Sequence, residues 1–193
     1  APRLVVGGGA PAAAARADVE GARRKLAKLP LAHPVARLIL LEARLVGGDA
    51  VAAEALELAA GAPEYAAAWE VAVAALERED RAEDALAAGR RLLPLRGDDA
   101  GRRLVARLEA EVVGRGVREA STLLGRGDAA AALTRAHRVL ELVPTADDAR
   151  IVAVRAALAS GQTASAVALL PALPDSPAGL EVKGRTAEAL GQW

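Results

Sequence analysis

Glycine-centred turns return along this chain at intervals that leave room for two short helices and little else. Arg3-Leu4-Val5-Val6-Gly7-Gly8 is matched by Arg44-Leu45-Val46-Gly47-Gly48-Asp49, and similar signals stand at Leu124-Gly125-Arg126-Gly127-Asp128, Ala159-Ser160-Gly161-Gln162 and Leu190-Gly191-Gln192-Trp193. Each closes one apolar helical segment and opens another. An interval of roughly 30 to 47 residues means stacked helical hairpins, because one hairpin cannot bury its apolar stripe alone and must lean on its neighbours.

Composition agrees with helices and argues against strands. Alanine supplies roughly a quarter of the 193 residues, and phenylalanine, methionine, cysteine and asparagine are absent. Alanine and leucine are strong helix formers, whereas the β-branched and aromatic enrichment of strands is missing. The expected fold is therefore all-α, with small side chains that let helices approach closely.

Charge and cysteine content exclude several functional classes. Lys plus Arg and Asp plus Glu number 25 each, and the signs are interleaved, so no long-range field steers nucleic acid to the surface. Without cysteine there is no disulfide framework and no thiolate metal site, which suits cytoplasm and periplasm alike. Arginine far outnumbers lysine, found only at Lys25, Lys28 and Lys183, a bias that matches a GC-rich bacterial genome. No apolar run reaches the roughly 18 residues a membrane span needs, so direct membrane insertion of this segment is not expected. The missing initial methionine and signal-like regions read as a processed or trimmed chain.

Periodicity and breakers place helices at 12–28, 34–46, 50–60, 64–76, 81–93, 128–142, 146–159, 162–170 and 178–190. Pro94 and Gly97 are expected to stop the 81–93 helix, and Asp98-Asp99 to cap the next. That next helix starts near Ala100 and runs towards Leu124, with a kink or break expected at Gly114 and Gly116, since each glycine costs about 1 kcal/mol in a helix interior. Pro171 to Pro177 reads as a loop. Trp69 is expected in the core, with Tyr65 partly exposed.

Chemistry-bearing residues form no catalytic constellation. Val5 to Gly9 lacks the spacing of a phosphate-cradling loop and matches the repeat turn at Arg44 to Asp49 instead. His33 and His137 are the only histidines and have no partners at ligand spacing, so neither a metal nor a catalytic role is assigned to them. Ser121, Thr122, Ser160, Thr163 and Ser165 lie in no nucleophile motif, and several suit helix caps. Carboxylate pairs such as Glu77/Glu79, Glu83/Asp84 and Glu109/Glu111 are surrounded by Arg78, Arg81, Arg107 and Arg115 at helical spacing, the pattern of solvated salt-bridged faces. No catalytic, cofactor or metal residue is assigned.

Offsets from the turns bring out a resemblance. Trp69 follows Pro63 by six residues, Ala85-Leu86 and Ala132-Leu133 take the small close-packing position and its neighbour, and Pro144 closes a repeat twelve residues after Ala132. Gly127 and Gly161 lie 34 apart, and Gly184, Gly191 and Trp193 fit the small, turn and aromatic positions of a further repeat. In these features the chain resembles the tetratricopeptide repeat family, in degenerate, alanine-rich repeats. About 13 extra residues between Asp80 and Gly127 are best placed as a lengthened outgoing helix.

The resemblance implies a right-handed α-solenoid of stacked antiparallel hairpins, with approximate repeats 1–30, 31–62, 63–97, 98–145, 146–176 and an incomplete 177–193. Both ends then fall inside a repeat, as in the retained part of a longer protein. It also implies a concave face lined by outgoing helices, on or near which lie Arg44, Glu70, Glu77, Arg78, Arg118, Ser121, Arg155, Glu181, Arg185 and Glu188. A non-enzymatic scaffold holding a protein or peptide partner in that groove is the first functional expectation. A structural assembly subunit of an envelope-associated export or secretion complex, meeting partners through its ends, is the second. The helical arm of a larger enzyme or regulator is the third. The Lys/Asn clamp of co-chaperone members is not expected, since asparagine is absent.

Overall fold

Alanine-rich amphipathic segments separated by left-handed turns yield nine α-helices and no strand among the described residues, which in this computed structural model are Gly21 and 33–191. Apart from the helical Gly21, the expected 12–28 helix lies outside them, as do the Val5 to Gly9 turn and Trp193. In chain order the helices are α1 (Pro34–Gly47), α2 (Ala52–Gly61), α3 (Ala66–Arg78), α4 (Ala82–Arg96), α5 (Asp99–Gly125), α6 (Ala129–Leu142), α7 (Asp147–Ala159), α8 (Thr163–Leu169) and α9 (Pro177–Ala189). A 3-10 turn, Leu170–Ala172, follows α8. Gly48, Gly97, Gly127, Gly161 and Gly191 all adopt positive φ at helix ends, a conformation that glycine reaches without a Cβ clash.

The chain divides into two compact units, Ala1–Leu108 and Glu109–Trp193. In the first, α3 is the central helix: it packs on α1, α2 and α4 and buries Ala68, Val71, Ala72, Val73, Ala75 and Leu76. In the second, α7 takes that place against α6, α8 and α9, with Ala149, Ile151, Val152, Ala153, Val154, Ala156 and Ala157 buried. A helix apolar nearly all round needs neighbours on several sides, and hairpin stacking supplies them.

The expected break at Gly114 and Gly116 is absent: α5 runs unbroken through both. A Cβ at Gly116 would stand 2.2 Å from Val139 Cγ2, so the glycine is where α6 seats its valine against the α5 backbone. Packing offsets the poor helix propensity. Gly89 does the same for α5 in the first unit, a Cβ there meeting Leu108 Cδ1 at 2.8 Å. The long helix thus packs its first part on α4 and its later part on α6.

Three further expectations are corrected. Pro94 does not stop α4, which continues to Arg96 and ends where the Gly97 N–H donates to the Leu93 carbonyl at 2.9 Å. Pro94 and Arg90 are both exposed, so the proline lies on the outer face of the helix rather than against the core. Trp69 is half-buried rather than core, because its indole N–H donates to the Pro63 carbonyl at 3.0 Å and holds the ring at the hairpin joint. Tyr65 is half-buried too. The Pro171 to Pro177 stretch is not wholly loop: Pro171 sits in the 3-10 turn and Pro177 opens α9, capped by the Ser176 hydroxyl accepting from the Gly179 N–H at 3.2 Å.

The two α5 glycines are expected to respond differently to alanine. Gly116→Ala should destabilise by about 1–3 kcal/mol through overpacking on Val139. Gly114→Ala, where the nearest atom is the flexible tip of Arg118 at 3.3 Å, should be neutral or stabilising by up to about 1 kcal/mol. Urea unfolding of the two variants checks this, and equal stability of Gly116→Ala and wild type would contradict the packing role.

Candidate functional site

The ten side chains expected on the outgoing helices fall into two groups, one in each unit. Those on α1 and α3 are engaged in holding their own hairpins. Arg44 reaches Glu54 at 2.6 Å and Asp49 at 3.2 Å, tying the end of α1 to the turn and to α2. The Glu54 hydrogen bond leads in holding the guanidinium above its ordinary pKa.

Arg78 and its neighbour Glu79 together grip the first turn from the end of α3. The Arg78 guanidinium donates to the Leu45 carbonyl at the C-terminus of α1, while Glu79 accepts from the Ala52 N–H, the first of α2, at 2.8 Å. Cation at a helix C-terminus and carboxylate at a helix N-terminus each meet the favourable end of a helix dipole. Glu77 is held by Arg107 of α5. Glu70 accepts from Arg96 at 3.0 Å, and the same guanidinium reaches Asp98 at 3.3 Å.

In the second unit the structure gathers three of the expected residues. Arg155 of α7 and Arg185 of α9 flank Glu181, at 3.3 Å and 2.9 Å respectively. Arg155 is the only charged side chain between Arg150 and the end of α7, on a helix otherwise given to the core. Its Nε is buried with no hydrogen-bond partner, although the side chain as a whole is 38% exposed. The Nε itself is closed to solvent, so an incoming carboxylate meets the exposed part of the guanidinium, whose fork suits such a group. Ser121 on α5 and Glu188 on α9 are exposed.

Arg118 lies apart from that trio, in a groove of about 400 Å³ lined by Arg118, Glu119, Thr122 and Leu123 of α5, by Arg126 in the turn just after it and by Arg135 of α6. Arg135 binds Glu119 at 2.5 Å. Thr122, Arg126 and Arg135 were not expected in a site. The four-residue spacing of 118, 122 and 126 puts them on one helical face, a signal present in the sequence. Placing Arg135 beside them requires the α5–α6 pairing.

Among the described residues no cluster of three His, Cys, Asp or Glu side chains is placed to hold a metal ion, and no helix is long and apolar enough to cross a membrane. His33 caps α1, its Nδ1 accepting from the Val35 N–H at 3.3 Å, and His137 is exposed.

A chain of paired antiparallel helices closed by left-handed glycines is a helical-repeat protein. The tetratricopeptide repeat family model matches residues 123–189, the stretch from the end of α5 through α9, and supports for that stretch the resemblance that the residue spacing implied. No curated protein matches the chain. Repeats of this family generally mediate protein–protein interaction and are typically scaffolds rather than enzymes.

Asp98 gives the first unit a pH dependence of known sign. Its carboxylate accepts from the Gly101 N–H at 2.7 Å, which, ahead of nearby Arg96, lowers its pKa below the ordinary aspartate value. A lowered folded-state pKa contributes stability above the unfolded value and loses it as pH falls through the folded one. Asp98→Asn keeps a capping oxygen but removes the titration. The variant should be less stable than wild type at pH 7, with the gap closing as pH falls below the ordinary aspartate value of 3.8. Urea midpoints taken from pH 7 downwards check this; a gap constant with pH would contradict it.

Proposed function

We propose that this protein is a non-enzymatic interaction scaffold that binds a segment of a partner polypeptide on the outgoing-helix surface, with Arg155, Glu181 and Arg185 at the centre of the contact. The observation that carries the reading is Arg155, a charged side chain rising from the most buried helix of its unit with an unsatisfied, buried Nε. A buried donor without a partner costs free energy, and an acceptor on another chain recovers it by drawing the guanidinium outwards, since the Nε is closed to solvent. Glu181, shared by two arginines, sets the charge pattern that an incoming segment must complement. Arg118 and Ser121 on α5 and Glu188 on α9 are further candidates for contact within the same unit.

Arg44, Glu70, Glu77 and Arg78 contribute less in this reading. Each is already bonded within the first unit, so engaging a partner there requires breaking an internal contact. The reading therefore weights binding towards residues 109–193, the unit in which the family match falls.

Cross-linking in cells followed by mass spectrometry identifies the partner, and calorimetric titration of the purified pair then measures the contact. Arg155→Glu combined with Arg185→Glu should weaken the complex by more than about 1 kcal/mol, the scale of desolvated charge contacts at interfaces, with helicity unchanged. Unaltered affinity would remove these arginines from the interface.

A further inference from the structure

Ion pairing accounts for most of the described arginines, which makes the exceptions informative. Arg118 and Arg126 make no ion pair among the described residues, and both line the α5–α6 groove. Three arginines face one glutamate there, and that glutamate is already bound to Arg135. The floor between the two unpaired guanidiniums is Thr122 and Leu123, and the Thr122 hydroxyl is turned to its own helix, donating to the Arg118 carbonyl at 2.8 Å. The groove therefore presents concentrated positive charge over a short apolar floor, with no acidic side chain left to neutralise it.

From this geometry we infer a second binding place on the scaffold: the α5–α6 groove takes an acidic segment of a partner protein, held by Arg118 and Arg126. The inference rests on the scaffold reading but uses a different surface from the Arg155–Glu181–Arg185 network. The two arginines are eight positions apart, the second just past the end of α5 with its N–H still bonded to the Thr122 carbonyl, which is about 12 Å along the axis. Arg118 leans away from Arg126, its guanidinium tip 3.3 Å from where a Gly114 Cβ would stand, so the missing side chain of Gly114 makes its seat. One carboxylate does not bridge guanidiniums held apart in this way. An extended segment rises about 3.3 Å per residue, so acidic side chains spread over at least four residues match the span. Guanidinium forks bind carboxylates in bidentate fashion, and Leu123 gives the segment's aliphatic stems a surface to lie on. Phosphates of nucleic acid offer similar charge, but the balanced charge of the whole chain supplies no field to gather a polyanion.

The test is fluorescence anisotropy of the full chain with a dye-labelled Gly/Ser peptide of twelve residues carrying four glutamates. Its glutamine counterpart and a twelve-nucleotide single-stranded DNA serve as competing probes. The glutamate peptide should bind at low salt and weaken as salt rises, with the glutamine peptide about tenfold weaker or worse. Arg118→Glu with Arg126→Glu should lower affinity for the glutamate peptide at least about tenfold. Arg118→Gln with Arg126→Gln should lower it by a smaller factor and guards against a folding defect in the reversal, as circular dichroism of both reports. Arg103→Glu, exposed on the same helix outside the groove, should change affinity less than about twofold. No binding of the glutamate peptide at millimolar concentration overturns the inference. So does wild-type affinity in both arginine pairs, or DNA binding tighter than the peptide. Loss of peptide binding only in Arg155→Glu with Arg185→Glu would move the acidic segment to the first network, overturning the groove and leaving the scaffold reading intact.

Discussion

Close approach between helix backbones is the constraint from which the rest of this structure follows. Ala68, Ala72 and Ala75 on α3 and Ala149, Ala153, Ala156 and Ala157 on α7 have no exposed surface at all. Each buries little area by itself, so a core made of such residues is stable only if helices come near enough for methyl groups to meet backbone. Leucine and valine fill what remains, with Leu76, Leu86, Leu108 and Val139 fully enclosed. At Gly116 the approach is closer than any side chain permits. The same demand explains why phenylalanine and methionine have no place in the sequence: a large or flexible side chain between these helices would wedge them apart.

Tight helix pairing also determines where charge is found. Core faces hold almost no polar groups, with Thr186 the buried exception, its hydroxyl donating to the Val182 carbonyl at 2.8 Å in its own helix. Charged side chains are displaced to turns and outer faces, where they act on helix ends. The Arg78–Glu79 pair is the clearest case, one residue serving the last carbonyls of α1 and the next the first N–H of α2. Such contacts are individually weak when exposed, yet they fix which turn sits on which helix. The proposed binding falls to the Arg155–Glu181–Arg185 network and to Arg118 and Arg126, which no acidic side chain engages.

Much of the helix order was legible because its signals are local. Glycine at a positive φ, aspartate before a helix and proline after one act within a few residues, and α1, α2, α6 and α7 follow the expected spans to within one or two residues. What sequence reasoning missed depends on contacts between segments. Gly114 and Gly116 read as helix breakers because propensity is local, whereas Val139, which needs that gap, is more than twenty residues away. Trp69 reads as core because of its size, while the Pro63 carbonyl that holds it at the joint is invisible to hydropathy. The Arg155–Glu181 contact arises because α7 and α9 lie side by side with α8 between them in sequence, and Arg135 joins the α5 groove only through the α5–α6 pairing. Repeat spacing gives an expectation of which helices are outgoing; it carries no information on which of their charges are already occupied.

Amide hydrogen exchange at Gly114, Arg115, Gly116 and Val117 tests the role of close packing most directly. If α6 seated on the glycine backbone is what keeps α5 continuous, these amides exchange as slowly as those of Leu108 and Val112 in the same helix. Exchange as fast as at the turn glycines Gly127 and Gly161 would show a helix broken at its weakest residues and would contradict the account.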